Sequence, residues 1–224
     1  MNYLESSGLV TASYLLGAIP FGFLIARMRG VDIRRVGSGN IGATNVFRSV
    51  GKGWGILTFV CDALKGFIPA FLFPILGAQW LGLPRSDGLS LLCGCCAIAG
   101  HNWPVYLGFR GGKGVATSAG ALIGIAPLLT AIGFGAWLIA FLVSRFVSLA
   151  SIVAALVIGG AAWLPSLRTG VLIPFALSGL ALLSIWRHKA NIQRLLAGTE
   201  HRFQFGRKRP PDAHESEPTP GGLQ

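Results

Sequence analysis

Charged residues are scarce in this sequence, and their scarcity excludes an ordinary soluble domain. Asp, Glu, Lys and Arg make up 12% of the 224 residues, whereas 52% are hydrophobic. The apolar runs reach the ~20 residues that a helix needs to cross a bilayer. Neither the alternating pattern of strands nor an internal repeat interrupts them. The sequence therefore predicts an all-α polytopic membrane protein.

Cysteine is also rare, and the common catalytic motifs are missing. The four cysteines lie within apolar runs, where we expect them to act as small hydrophobic residues, and His101 is the only histidine near them. The chain contains no G-x-S-x-G elbow, no H-E-x-x-H and no H-x-x-x-x-D. We therefore expect neither a metal nor a cofactor.

Six apolar stretches are candidates for membrane spans. They cover residues 8–26, 54–78, 89–106, 115–143, 146–164 and 171–186. As one helix, 115–143 would be roughly 43 Å long at 1.5 Å per residue, which exceeds a hydrocarbon core of about 30 Å. Gly124 and Pro127 offer a break, which would give two short crossings and seven transmembrane helices in total.

Positive charge decides the direction of these crossings. With seven helices, 16 of the 19 Lys and Arg residues fall on one side of the membrane, whereas Arg85 and Arg168 fall on the other and Lys65 lies inside a span. The positive-inside rule then places the N-terminus outside and the C-terminus in the cytoplasm. We accordingly interpret the net charge of +11 as topology and site chemistry, and expect no nucleic-acid partner. Residues 1–205 are expected to form one membrane-embedded domain, and 206–224 a disordered cytoplasmic tail.

Three polar segments fall on the cytoplasmic side of this topology, and the second of them (residues 100–117) is rich in glycine. Its centre reads Arg110-Gly111-Gly112-Lys113-Gly114. Glycines allow backbone N–H groups to converge on one concave site, and a lysine adds a point charge, which suits a phosphate. A Walker A loop is excluded because Leu107 stands where its first glycine is needed. The alternative is a tight loop between helices with snorkelling cations.

The first polar segment (residues 37–48) matches G-x-G-x-x-G, but it follows a membrane span and not a strand, so a dinucleotide site is rejected. What is left is a set of neutral hydrogen-bonding groups beside one guanidinium, a combination that suits an anionic, hydroxylated ligand. These residues are Ser38, Asn40, Thr44, Asn45 and Arg48. A capped juxtamembrane loop is the alternative interpretation.

The third polar segment (residues 187–200) places Arg187, Asn191 and Arg194 at helical spacing, with His188 beside them. Histidine is the usual proton carrier near neutral pH, although an amphipathic helix on anionic headgroups would show the same pattern. We expect Glu200, the only acid in this region, to pin the segment to a nearby cation.

Asp62 and Lys65 are the charged residues inside the second span. They lie three residues apart on one helix, and charges in a membrane are costly unless paired. A structural ion pair is therefore the first interpretation, and the rim of a site is the second.

Together the three polar segments resemble the PlsY family, the acyl-phosphate:glycerol-3-phosphate acyltransferases of bacterial membranes. The resemblance covers Gly37 to Asn45 with Arg48, then Gly100-His101 and Phe109 to Thr117, then Arg187 to Glu200; Arg110 departs from the lysine usual in the family. It implies that Ser38 and Arg48 serve catalysis and that Gly111, Gly112, Lys113 and Gly114 bind glycerol 3-phosphate. It also implies that His188 and Asn191 are needed for activity and that Glu200 is structural.

The activity implied by this resemblance is transfer of a fatty acyl group from acyl phosphate to the 1-hydroxyl of glycerol 3-phosphate. The products would be lysophosphatidic acid and phosphate, an early step of phospholipid synthesis. We expect a multi-pass protein of the bacterial cytoplasmic (inner) membrane whose active site faces the cytoplasm, with the soluble enzyme that makes acyl phosphate as a candidate partner. A transporter for a phosphorylated metabolite is the alternative, but it would require similar halves with polar groups at mid-membrane.

Acyl phosphate is a mixed anhydride and already activated, so the expected mechanism needs no protein nucleophile. We assign Lys113 to the phosphate of glycerol 3-phosphate and Asn191 to orienting its hydroxyl. Either His188 or an oxygen of the acyl phosphate accepts the proton. Beside Ser38 and Arg48, we expect seven residues to contact the acyl phosphate: Asn40, Thr44, Asn45, His101, Thr117, Ser144 and Arg145.

Overall fold

The computed structural model describes residues 3–83, 86–165, 167 and 170–204, and within these ranges all regular structure is helical. The all-α class is thereby confirmed. Arg85, Arg168 and the expected tail at 206–224 lie outside the described residues. The helices are α1 (Tyr3–Ala18), α2 (Phe21–Met28), α3 (Ala43–Ser49), α4 (Lys52–Phe67), α5 (Phe73–Leu81), α6 (Asp87–Asn102), α7 (Val115–Ile125), α8 (Pro127–Ser144), α9 (Val147–Ala161), α10 (Leu172–Arg187) and α11 (Lys189–Leu196).

Three helical stretches are long and apolar enough to cross a membrane: Ser6–Met28, Lys52–Leu81 and Pro127–Ser144. The apolar helices α7, α9 and α10 are shorter. The long run at 115–143 is interrupted at Ala126, because Pro127 has no N–H for the helix before it and restricts the backbone of the preceding residue. The expected break is therefore present, while the seven crossings and the orientation of the termini stay predictions.

Asp62 and Lys65, the charged pair inside Lys52–Leu81, lie next to an interruption of the helical stretch Ser6–Met28. Between α1 and α2 the chain leaves the helix at Ile19, and the Nζ of Lys65 donates to the Ile19 carbonyl at 2.6 Å. The same ammonium lies 2.9 Å from an oxygen of Asp62, and both charged side chains are at most 2% exposed. Because a buried cation needs a partner, Asp62 and Lys65 form the structural ion pair that was the first interpretation.

Close packing between α4 and α7 positions the second polar segment. A Cβ on Gly66 would lie 2.0 Å from the Thr117 carbonyl oxygen, and one on Gly120 would lie 1.9 Å from that of Ala63. Small residues let two membrane helices approach this closely. Because α7 begins directly after Gly114, this contact holds the end of the glycine loop against α4.

Candidate active site

The three polar segments meet around a cavity of about 440 Å³, which we call the inner cavity. The expectation that they gather in one place is confirmed. Helices α3, α4, α7, α8, α9 and α11 all contribute to its wall. Of the residues expected from the sequence, the wall contains Ser38, Asn40, Thr44, Asn45, Arg48, His101, Lys113, Gly114, His188, Asn191 and Glu200.

The Asn45 side chain holds the loop of the first polar segment through hydrogen bonds to its backbone. Its Nδ2 donates to the carbonyl oxygens of Ile33 (3.2 Å), Val36 (3.1 Å) and Asn40 (2.9 Å), and its Oδ1 accepts the N–H of Ser38 at 3.0 Å. The side chain is buried and its amide is fully engaged with the loop. Asn45 therefore shapes the loop that presents Ser38; it also lines the inner cavity, and its contact with acyl phosphate stays a prediction.

The exposed groups of this segment are Ser38, Thr44 and Arg48. Thr44 and Arg48 stand four residues apart on α3 and therefore share a face. A guanidinium nitrogen of Arg48 donates to the His201 carbonyl at 3.4 Å. Asn40 is partly engaged, because its Oδ1 accepts the N–H of Gly42 at 2.8 Å. Ser38, Thr44 and Arg48 thus remain available at the cavity wall.

The glycine loop lies directly on the last turn of α6. A Cβ on Gly111 would stand 2.1 Å from the His101 carbonyl oxygen, and one on Gly112 would stand 2.1 Å from the His101 Nε2. The N–H of Gly112 donates to the same carbonyl at 3.1 Å. Arg187 holds the loop from the other side, since its Nε donates to the Gly112 carbonyl at 3.1 Å and its Nη2 to that of Gly111 at 3.2 Å.

This packing gives the glycines of the loop a second role. The resemblance implies that Gly111, Gly112, Lys113 and Gly114 bind glycerol 3-phosphate, which stays a prediction; of these four residues, Lys113 and Gly114 line the inner cavity. Gly111 and Gly112 are glycines because the loop approaches α6 too closely for a side chain. They support the lysine and do not line the cavity themselves.

We expect Gly112→Ala to raise the KM for glycerol 3-phosphate by roughly tenfold or more, because forcing a methyl group into a filled space costs about 1–3 kcal/mol. The new Cβ would collide with His101, which is buried and has little room to move. Steady-state kinetics of the purified variant measure the effect. Gly53→Ala is the matched control, because a Cβ there meets nothing within 4 Å. Equal KM values for the two variants would contradict this account of the loop.

A chain of hydrogen bonds joins the second and third segments. The Nζ of Lys113 donates to the Oδ1 of Asn191, whose Nδ2 donates to Glu200 at 2.6 Å. Glu200 also accepts from the Ser148 hydroxyl at 2.7 Å and from the Arg194 Nε at 2.7 Å. We expected Glu200 to form an ion pair with a nearby cation, and in the structure that cation is Arg194. Ser148 was missed, because a lone serine in an apolar run gives no signal.

Charge and burial set the protonation of this cluster. Burial lowers the pKa of Lys113 to about 8, with Arg194, Arg48 and Arg187 acting in the same direction against Glu200. Burial raises the pKa of Glu200, but hydrogen bonds from Asn191, Ser148 and Arg194 outweigh it and hold that pKa below its usual range. At neutral pH the site therefore contains an ammonium and a carboxylate, linked through the amide of Asn191.

Histidine 188 is neutral in this setting. Burial, with Lys113 and Arg187 acting in the same direction against the Ser184 carbonyl and Glu200, lowers the pKa of His188 to about 4. The Nδ1 lies 2.8 Å from the Ser184 carbonyl oxygen, so in the neutral ring Nδ1 carries the proton and Nε2 is an acceptor.

Of the last four expected residues, one lines the inner cavity and three do not. His101 contributes to its wall beside Asp62, with 3.6 Å between Nδ1 and the nearer carboxylate oxygen. Thr117 is fully buried on α7 at the contact with α4. Ser144 accepts the N–H of Phe146, and Arg145 ends α8 with a positive φ of 62°. The structure therefore does not bring Thr117, Ser144 and Arg145 to the cavity wall. Thr117 is buried where α7 packs against α4, whereas Ser144 and Arg145 form the end of α8.

One side of the inner cavity is a wall of large apolar side chains. Phe203 stands between Phe47 and Phe141, with ring centroids 5.8 and 5.4 Å away. Ile56 and Phe59 of α4 complete this wall and are 58% and 48% exposed on the outer surface of the helices. Sequence reasoning missed these residues, since phenylalanines in apolar runs look like ordinary membrane-facing residues. The cavity is thus lined both by charged groups, including Lys113 and Arg48, and by a cluster of large apolar side chains.

The fold and this cavity define a helical membrane protein whose site can take a molecule with an anionic head and an apolar chain. Within the described ranges, no three His, Cys, Asp or Glu side chains come together as a metal site. Comparison with known proteins identifies the family. The sequence profile of glycerol-3-phosphate acyltransferases matches residues 7–198, and the chain belongs to this family, the PlsY family.

Similar proteins cover almost the whole chain. The glycerol-3-phosphate acyltransferase of Desulforudis audaxviator (strain MP104C) is 44% identical over 212 residues, which are 92% of this chain and 99% of that one. That of Geobacter metallireducens (strain ATCC 53774 / DSM 7210 / GS-15) is 48% identical over 200 residues, 88% and 96% of the two chains.

The chain is also similar to crystal structures of PlsY (YgiH), an integral membrane glycerol 3-phosphate acyltransferase. The glycerol 3-phosphate form has a TM-score of 0.78 at 43% identity, covering 89% of this chain and 96% of that one. The lysophosphatidic acid form has a TM-score of 0.76 at 42% identity, covering 89% and 95%.

Proposed function

We propose that this protein transfers a fatty acyl group from acyl phosphate to the 1-hydroxyl of glycerol 3-phosphate, giving lysophosphatidic acid and phosphate. The observation that carries the proposal is that the hydrogen-bonded Lys113, Asn191 and Glu200 line the same inner cavity as a cluster of large apolar side chains. Solved relatives in glycerol 3-phosphate and lysophosphatidic acid forms support it. Membership of an acyltransferase family speaks against the alternative of a transporter.

In this proposal the protein supplies position and charge. Lys113 holds the phosphate of glycerol 3-phosphate, while Ser38, Thr44 and Arg48 receive the acyl phosphate. Two anionic substrates repel each other, and cations with hydrogen-bond donors offset that repulsion and stabilise the charge that develops on the acyl oxygen. Both ends of the Asn191 amide are already bonded, to Lys113 and to Glu200. We therefore assign Asn191 to positioning the lysine instead of the attacking hydroxyl.

The proton of the attacking hydroxyl goes, we propose, to an oxygen of the acyl phosphate. A histidine with a pKa near 4 is a weak base, which argues against His188. The phosphate oxygens of the donor become more basic as the bond to the acyl carbon breaks, because the leaving group becomes free phosphate. His188 then acts as a neutral hydrogen-bonding group beside Lys113.

The fatty chain is proposed to lie along the wall of Phe47, Ile56, Phe59, Phe141 and Phe203, and to leave the cavity past the exposed side chains of α4. This arrangement agrees with seven crossings, an inner-membrane location and a cytoplasmic active site in a single domain of residues 1–205. The cations of the three segments would then face the compartment that contains glycerol 3-phosphate. A soluble enzyme that makes acyl phosphate is the expected supplier of the donor.

The test is an assay of purified protein in detergent with acyl phosphate and glycerol 3-phosphate. Lysophosphatidic acid and phosphate should form in equal amounts, and acyl-CoA should give little product. Activity should survive EDTA, because neither a metal nor a cofactor is expected to take part. Comparable turnover with acyl-CoA would refute the proposed donor, and loss of activity in EDTA that Mg²⁺ restores would refute the metal-free mechanism.

The pKa of Lys113 predicts an alkaline limit for the use of glycerol 3-phosphate. The lysine is charged below pH 8 and loses its proton as the pH rises through about 8, whereas the phosphate is already a dianion above pH 6. We expect kcat/KM for glycerol 3-phosphate to fall on the alkaline side with a midpoint near pH 8, which reports the free enzyme. In Lys113→Arg this limb should disappear, because arginine stays charged. An unchanged limb in that variant would assign it to another group.

A further inference from the structure

A second cavity of about 680 Å³ lies beside the inner cavity, and we call it the outer cavity. Ser38 and Asn40 line both cavities. In each of the other two polar segments, residues one or two positions apart line different cavities. Arg110 and Gly111 line the outer cavity and Lys113 the inner one, while Arg187 lines the outer cavity and His188 the inner one. The two cavities therefore adjoin along the same three segments.

The outer cavity is the more positive of the two. Four arginines and one aspartate line it, whereas the inner cavity has three Lys or Arg and two Asp or Glu residues. Arg34 is held in place by two hydrogen bonds to Asp32, at 3.0 and 2.9 Å, and lies 4.6 Å from the ring of Phe23. Arg187 is engaged with the carbonyls of the glycine loop. Two of the four arginines in this wall are thus held in place.

Three of these cations are exposed to water: Arg34, whose side chain is 49% exposed, Arg35 and Arg110. The side chain of Arg35 is 86% exposed and lies 3.7 Å from Asp32, and Arg110 is exposed with no ion pair in the described part of the chain. A cleft lined by one sign of charge raises the local concentration of oppositely charged small molecules and their rate of association. The exposed side chains that α4 contributes to the inner cavity, by contrast, are the apolar Ile56 and Phe59. The two sides of the site therefore suit different classes of molecule.

We propose that the outer cavity binds glycerol 3-phosphate from water and delivers it to the inner cavity, and that inorganic phosphate leaves by the same route. The proposal rests on the acyl transfer proposed above and adds a separate path for the water-soluble participants. The ligand chemistry is a small phosphate dianion. Acyl phosphate and lysophosphatidic acid carry a fatty chain and use the apolar side. A phosphate-bearing lipid headgroup would offer the same chemistry to the arginines, so the test separates it from free phosphate.

The experiment neutralises Arg35 and Arg110, alone and together, as Arg35→Gln and Arg110→Gln. Arg29→Gln and Lys52→Gln are matched controls, because both residues are exposed cations that line neither cavity. Each protein is placed in nanodiscs of zwitterionic phosphatidylcholine, and separately in discs that contain anionic phosphatidylglycerol, with saturating acyl phosphate. The concentration of glycerol 3-phosphate is then varied at low and at physiological ionic strength.

At low ionic strength we expect kcat/KM for glycerol 3-phosphate to fall about three- to fivefold for each charge removed from the outer cavity, and less at physiological salt. The inhibition constant of phosphate against glycerol 3-phosphate should rise in parallel. The kcat at saturating glycerol 3-phosphate and the KM for acyl phosphate should stay unchanged. The controls should match the wild type, because their charges lie away from the path.

Equal effects in the outer-cavity variants and the controls would overturn the proposal, since they would report net charge alone. A rise in the KM for acyl phosphate, or an effect that appears only in discs containing phosphatidylglycerol, would assign the arginines to lipid headgroups and overturn it as well. If the wild type makes no lysophosphatidic acid, the proposed acyl transfer fails separately. Calorimetry with glycerol 3-phosphate then decides the cavity: weaker binding by the double variant than by the controls supports it, and equal binding overturns it.

Discussion

Lys113→Met should lower kcat/KM for glycerol 3-phosphate by about ten- to hundredfold. A charge-assisted contact to phosphate is worth roughly 1.5–3 kcal/mol, and each 1.4 kcal/mol is a factor of ten. Methionine is unbranched like lysine, so the cavity keeps most of its shape while its cation is lost. The loss should appear mainly in the KM for glycerol 3-phosphate, because the phosphate does not change charge during acyl transfer.

Two-substrate kinetics measure this prediction, with one substrate saturating while the other is varied. Lys189→Met is the matched control: Lys189 is exposed on α11, lies 5.4 Å from the ring of Trp186, and lines neither cavity. An unchanged KM for glycerol 3-phosphate with a raised KM for acyl phosphate would show that the two phosphates have been assigned the wrong way round.

Glu200→Ala should reduce kcat/KM by roughly a hundredfold or more and also lower the thermal stability. Its carboxylate accepts hydrogen bonds from Ser148, Asn191 and Arg194, and so joins α9, α11 and the chain that follows α11. Hydrogen bonds to a charged group contribute about 1.5–3 kcal/mol each, and partners left unpaired in a buried place add to the loss. Asn191 would lose the group that orients it toward Lys113.

Glu200→Gln separates the two contributions of this residue. Glutamine keeps an oxygen that can accept from Ser148 and Asn191 but removes the charge that Arg194 needs. We expect Glu200→Gln to retain more stability than Glu200→Ala while still losing about tenfold in kcat/KM, as one charged contact is lost. Thermal unfolding in detergent and steady-state kinetics of both variants give the comparison. If the activity of Glu200→Ala were within a few-fold of the wild type, the bonds of Glu200 to Ser148, Asn191 and Arg194 would not be needed to hold the site together.

Several features of the fold were predictable because they depend on residues close together in the chain. A proline removes one backbone hydrogen bond from a helix and restricts the residue before it, so a break before Pro127 was expected. The low dielectric of the membrane demands a partner for Lys65, and Asp62 stands one turn away. The polar segments were visible for the same reason, since each is a cluster of hydrogen-bonding residues between apolar runs.

The individual roles within the site were less predictable. Thr44 and Asn45 are neighbouring polar residues that both line the inner cavity, yet Thr44 is exposed, whereas Asn45 is buried and bonded to the loop. Gly111 and Gly112 look like phosphate-binding glycines, but the nearness of α6 is what requires them. Composition indicates that such residues belong to a polar loop, whereas the direction of each side chain depends on the helices against which the loop packs.

By itself, the sequence determined the helical membrane class, the break before Pro127, the buried ion pair and the three segments that supply polar groups. Tertiary structure alone decided which of those groups meet. Lys113 reaches Asn191 across 78 residues, Ser148 reaches Glu200 across 52, and Phe203 stands between α3 and α8. Helical periodicity and local motifs act over a few residues, whereas contacts at these separations depend on how α4, α7, α8 and α9 pack together. The packing of those helices therefore turns three polar loops into one cavity.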